Sequence, residues 1–126
     1  MTNLATTLTL TRPLVVLDVE TTGTSENDRI IQIAITKHYC DKDPIIWKSY
    51  FNPGIPVPIE TQRIHGITDE MLAAERTFKS VASELARTAL TNVDYCGHNV
   101  TFDLKMIRAE MRRAGVAWDF ETSDSK

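Results

Sequence analysis

The sequence predicts an α/β domain: a mixed sheet with helices packed on it. Three observations carry this reading. Strand-like runs come first, with continuous apolar residues at Leu14-Val15-Val16-Leu17 and a period-two alternation in which Ile31, Ile33 and Ile35 interleave with Gln32, Ala34 and Thr36. Helix-like runs follow, with apolar residues spaced by three and four. A short strand-like segment, Asp94 to Gly97, falls between two of those helices. A meander followed by a helical crossover puts strands of both directions in one sheet.

Taken in order, Met1 to Arg12 is a Thr-rich lead-in expected to be disordered, and 13–126 reads as one domain. The first strand is nearly all apolar up to Asp18, the pattern of a central strand buried on both faces. Thr21 to Asp28 is turn-forming. The second strand starts at Arg29. After a turn at Asp41-Lys42-Asp43-Pro44, Ile45 to Phe51 forms a third strand antiparallel to it. Asn52-Pro53-Gly54 breaks that strand, and Pro56 and Pro58 keep the next stretch extended. Thr68 is expected to cap a short helix, Asp69 to Ala74, whose acids suit the helix dipole. Thr77 is the expected cap of a second helix carrying Phe78, Val81, Ala82, Leu85, Ala86 and Ala89 on one face. The last helix is expected from Thr101 to Ala114, with Leu104, Ile107, Met111 and Ala114 inward, and Gly115 stops it.

The 126 residues carry a formal net charge of −3, which argues against a protein that coats nucleic acid generally. Two cysteines, Cys40 and Cys96, make no disulfide framework and read as reduced thiols of a cytoplasmic protein. No apolar run is long enough to suggest a membrane segment.

The chemistry centres on Asp18 and Glu20. Acids at i and i+2 share one face of a strand. As a pair they are either solvated acids at a strand end or ligands of a cation that relieves their repulsion. Hard divalent ions such as Mg²⁺ and Mn²⁺ favour such oxygens. Asp103 stands near the start of the last helix, where the dipole favours an acid whether or not it binds metal.

The string Asp18-Val19-Glu20-Thr21-Thr22-Gly23, after four aliphatic residues, resembles the first motif of the DEDD (DnaQ-like) 3′–5′ exonuclease family. That family includes the proofreading epsilon subunit of bacterial DNA polymerase III. The resemblance continues in Arg29-Ile30-Ile31-Gln32-Ile33-Ala34, in Gln62-Arg63-Ile64-His65-Gly66-Ile67-Thr68-Asp69-Glu70-Met71-Leu72, and in Gly97-His98-Asn99-Val100-Thr101-Phe102-Asp103. It implies an RNase H-like fold and two-metal hydrolysis of the 3′ ends of single-stranded DNA or RNA. It implies that Asp18, Glu20 and Asp103 are the catalytic acids and hold two Mg²⁺ or Mn²⁺ ions. Thr21, Thr22 and Gly23 would hold the terminal nucleotide through backbone groups, although Gly23 also suits a positive φ. His65, in a loop, either stabilises that loop or lies near the terminal nucleotide. Asn99 either bonds backbone groups at the strand–helix junction or shapes the site. His98 reads as a partly buried, hydrogen-bonded structural residue. Lys105, Arg108, Arg112 and Arg113 read as a solvated helix face.

The match departs from the family after Asp103. The third motif pairs a His or Tyr base with a fourth acid, but no His follows His98 and no Tyr follows Tyr95. Asp119 to Ser125 resembles the segment that precedes that motif. The expectation is therefore a C-terminally incomplete exonuclease domain with impaired turnover, an apolar patch left uncovered, and a polymerase or second chain as possible partner. The alternative is an inactive nucleic-acid-binding or protein-interaction module of the same fold.

Overall fold

The computed structural model describes residues 11–118. The N-terminal ten residues of the lead-in, and the stretch Asp119 to Ser125, lie outside them. Four strands form one sheet in the order β3-β2-β1-β4. They are β1 (Leu14–Thr21), β2 (Ile30–His38), β3 (Ile45–Tyr50) and β4 (Asp94–Cys96). β1 pairs antiparallel with β2 and parallel with β4, and β2 pairs antiparallel with β3, so the expected mixed sheet is present. The helices are α1 (Ile59–His65), α2 (Asp69–Leu72), α3 (Lys79–Arg87) and α4 (Val100–Arg113).

The main core lies on the face covered by α3 and α4. Val15, Leu17, Val19, Ile33 and Ile35 meet Phe78, Ala82, Leu85, Leu104, Ile107 and Met111 there. β1 is central, but it is not buried on both faces as its composition suggested. Val15, Leu17 and Val19 are buried, whereas Val16 and Glu20 are half-buried and Asp18 is exposed. The acids therefore occupy the more open face.

β2 departs from simple alternation. A register shift falls between Glu20 and Thr21, so that Thr21 pairs with Ile30. Ile30 and Ile33 join the main core, while Ile31 turns to a second cluster with Val57, Ile67 and Leu72. An irregularity of this kind reverses the facing of the residues beyond it.

α1 is the element the sequence did not announce. The stretch after Pro58 continues as a helix because Pro58, at φ −58°, suits the entry and Gly66, at φ 74°, supplies the left-handed exit. No α1 residue is buried, so no apolar period marks it. His65 is thus the last residue of a helix and not part of a loop. Thr68 caps α2 as expected, accepting a bond from the Met71 N–H at 3.3 Å, although α2 ends at Leu72. Thr77 does not cap α3: the N-cap position is Phe78, with no side-chain cap bond.

α4 is buried more broadly than expected. Besides Leu104, Ile107 and Met111, it buries Asp103, Met106, Ala109 and Glu110. Ala114 is half-buried, and Gly115 ends the helix at φ 75°. Glu110, only 7% exposed, accepts the Ile30 N–H at 2.7 Å and pairs with Arg113 at 3.3 Å. Arg113 also donates to the carbonyls of Glu26 and Asp28. It is therefore a strut to the 22–28 turn, though it stays exposed as expected of that helix face. Among the described residues no helix is long and apolar enough to cross a membrane.

Replacing Glu110 with Ala strands a buried backbone N–H, so Glu110→Ala is expected to destabilise the fold by about 1–3 kcal/mol in urea unfolding.

Candidate active site

Asp18 and Glu20 project from the open face of β1 close to its carboxyl end. The chain reaches Asp103 through β4, which runs parallel to β1, and the tight junction that follows. Gly97 makes that junction possible. A Cβ there would lie 2.6 Å from the Leu17 carbonyl oxygen and 3.6 Å from an Asp103 carboxylate oxygen. A side chain at 97 would push α4 away from β1, so this glycine answers a close approach and not a φ requirement. Asp103 sits in the first turn of α4 and is 3% exposed. Burial, and then the charges of Asp18 and Glu20, push its carboxyl up from the ordinary 3.8 to about 7. The three acids thus share one electrostatic environment. Among the described residues, however, no three His, Cys, Asp or Glu side chains are grouped closely enough to hold a metal ion.

The turn after the acids is closed by Asp28. Its carboxylate accepts from the Thr22 hydroxyl at 2.8 Å, the Ser25 N–H at 2.9 Å and the Ser25 hydroxyl at 3.0 Å. Thr22 is buried, and its own N–H bonds the Arg29 carbonyl at 2.9 Å. The Thr21 hydroxyl bonds the Gly23 carbonyl at 2.6 Å. Gly23 has no positive φ, contrary to the sequence expectation. It is required because a Cβ would lie 2.5 Å from the Asp28 carboxylate. Burial raises the Asp28 carboxyl, but its bonds to Ser25 and Thr22 and the nearby Arg29 charge hold it below its ordinary value.

The other candidates separate. His65 accepts the Ile67 N–H on Nδ1 at 3.0 Å, a local bond in keeping with the stabilising one of its two alternatives. Its Nε2 is buried with no partner among the described residues. Asn99 is the N-cap of α4, but its side chain makes no cap bond, so it does not tie the junction by that route. His98 is exposed, which corrects its expected burial: it stands in the turn between β4 and α4, next to the exposed Asn99.

Sequence reading missed Glu110 and Asp28. Glu110 lies seven residues after Asp103, two helical turns along the same stripe. An acid repeating on a buried stripe was the available signal. Asp28 carried none, because turn acids are common.

The fold is that of the RNase H-like exonucleases. The chain superposes on a structure of Exonuclease I (apo) with a TM-score of 0.73 at 21% identity, covering 90% of this chain and 27% of that one. It superposes equally, at 0.73 and 22% identity, on E. coli Exonuclease I in complex with a dT13 oligonucleotide, covering 89% of this chain and 25% of that one. The chain belongs to the Exonuclease (RNase_T) family, whose pattern matches residues 15–122. It is 35% identical over 103 residues to the 3′-5′ exonuclease DinG of Bacillus subtilis, covering 80% of this chain and 11% of that protein. It is 31% identical over 110 residues to the DNA polymerase III subunit epsilon of Buchnera aphidicola, covering 79% of this chain and 46% of that protein. The chain thus spans less than half the length of these relatives.

Two outcomes are expected. Gly97→Ala should lower stability by about 1–3 kcal/mol through overpacking against backbone, read by chemical denaturation. For Asp103 the folded value is raised, so its contribution is fully present below the unfolded value of 3.8 and is lost as pH rises through about 7. In EDTA the melting temperature should therefore fall between those limits, and Asp103→Asn should flatten the profile.

Proposed function

We propose that this chain is the exonuclease domain of a 3′–5′ nuclease acting on DNA or RNA ends, with Asp18, Glu20 and Asp103 as its metal-binding catalytic acids. The observation that carries the reading is the burial of Asp103 against two further carboxylates. That arrangement destabilises its charged form, and a bound cation would reverse the effect. The donor set fits hard divalent ions, because all three groups are carboxylates. Side-chain rearrangement would have to bring them together, since as placed they do not form a metal-holding group. Bound Mg²⁺ or Mn²⁺ would supply an activated water and stabilise the charge on the leaving oxygen.

The chain's own residues contribute position. β1 fixes Asp18 and Glu20 two residues apart on one face. Gly97 lets α4 bring Asp103 beside them. The Asp28 contacts fix the turn whose backbone at Thr21, Thr22 and Gly23 would hold a terminal nucleotide in this reading. His65 and Asn99 stand as further substrate contacts in this reading. No His follows His98 and no Tyr follows Tyr95 to act as the general base of the family's third motif, a group that typically contributes ~10²–10⁴-fold. The 126 residues assayed alone are therefore expected to turn over slowly. Completion by another segment, a polymerase or a second copy would show as activation.

The spread of the three acids beyond metal-holding distance favours a second reading, a non-catalytic nucleic-acid-binding or protein-interaction module. One assay separates the two. A 3′-labelled oligonucleotide is incubated with excess enzyme and Mg²⁺ or Mn²⁺. Shortening from the 3′ end that EDTA or Asp18→Ala abolishes supports the nuclease. Metal-dependent thermal stabilisation without shortening, over long incubation, supports the module.

A further inference from the structure

We infer that a cation-lined pocket at the end of the sheet where β1 carries its acids is a subsite for the phosphate backbone of the strand being degraded. The inference rests on the nucleic-acid substrate proposed above. The pocket, about 420 Å³, is formed where the start of β2, the loop after β3, the start of α3 and the end of α4 meet. Arg29, Lys79 and Arg113 line it, with Asn52 and Thr77 as neutral polar groups. Glu110 is its one acid, and both carboxylate oxygens are already engaged, by the Ile30 N–H and by Arg113. Arg113 is held rigid by the Glu26 and Asp28 carbonyls. Arg29 donates to the Asn27 carbonyl and lends its charge to Asp28. Lys79 is exposed and has no hydrogen-bond or ion-pair partner among the described residues. Arg113 is offset by Glu110 and Arg29 acts on Asp28, which leaves the Lys79 charge as the excess at the pocket in a chain whose net charge is −3. Such local excess marks a site for an anion.

Its position identifies which anion. β1 and β2 are antiparallel, so Arg29 and Ile30 lie at the same end of the sheet as Glu20 and Thr21. α4 links the two places, with Asp103 at one end and Arg113 ten residues on, which is about 15 Å of helix. A stacked strand advances roughly 3.4 Å along its axis per nucleotide, and an unstacked one advances further. A strand whose end lay at the acids would therefore need more than two nucleotides to bring a phosphate to the pocket. A mononucleotide would not reach it.

The test is a binding measurement made in EDTA, so it does not depend on turnover. Fluorescence anisotropy compares a 5′-labelled oligothymidylate of twelve nucleotides with the labelled dinucleotide. Lys79→Glu, at an exposed residue, and Arg29→Gln are expected to weaken the longer strand about three- to tenfold. Each should reduce the slope of log affinity against log salt by about 0.7, one single-strand phosphate contact. The dinucleotide should be unaffected. Equal effects on both lengths, or no effect on either, would overturn the subsite. Competition by decaglutamate as strong as that by unlabelled oligothymidylate, with the same Lys79 dependence, would also overturn it. Failure of the nuclease reading appears elsewhere, as the absence of metal-dependent shortening.

Discussion

The bond from the Ile30 N–H to the Glu110 carboxylate holds the working end of this molecule together. A carboxylate taken out of water must be compensated. Here the compensation comes from a backbone donor beside a register shift, and from Arg113 one helical turn further on. A single side chain thus joins the sheet at its irregular point to the helix that crosses it. Seven residues earlier on that helix, Asp103 is set against β1. Three residues later, Arg113 braces the turn that follows the acids. Both placements depend on where Glu110 fixes α4.

The strands and the amphipathic helices were legible because their periods are set by burial. Leu85 and Ala82, or Ile33 and Ile35, repeat at the spacing their elements impose. α1 was not legible, since an element without a buried face leaves no period to read. The register shift was equally silent. Ile31 looks like its neighbours Ile33 and Ile35 in sequence, and only the pairing of Thr21 with Ile30 sends it to the other cluster. The acids of the first motif were visible as a pair, but the open face they occupy was not. Gly23 and Gly97 could be seen as glycines. The reason for each, a carboxylate or a carbonyl oxygen where a Cβ would be, is a distance between chain-remote atoms that local pattern does not encode.

The site also shows a conflict between stability and chemistry of the kind found where a fold serves function. Burying Asp103 beside two further acids works against the folded state once all three are charged. Neighbouring acids elsewhere in the chain are neutralised by design: Asp28 by hydroxyls and an N–H, Glu110 by a donor and a cation. The contrast separates acids that hold the structure from acids left poised for a ligand.

His65 carries a last consequence. Its Nδ1 is committed to receiving the Ile67 N–H. The neutral ring must then bear its hydrogen on Nε2, so one tautomer is selected by the backbone itself. With the Nδ1 lone pair taken, the ring has none left to offer, and its Nε2 is sealed from solvent with no acceptor among the described residues. Only a local opening that uncovers Nε2 would let it donate that hydrogen to an incoming acceptor.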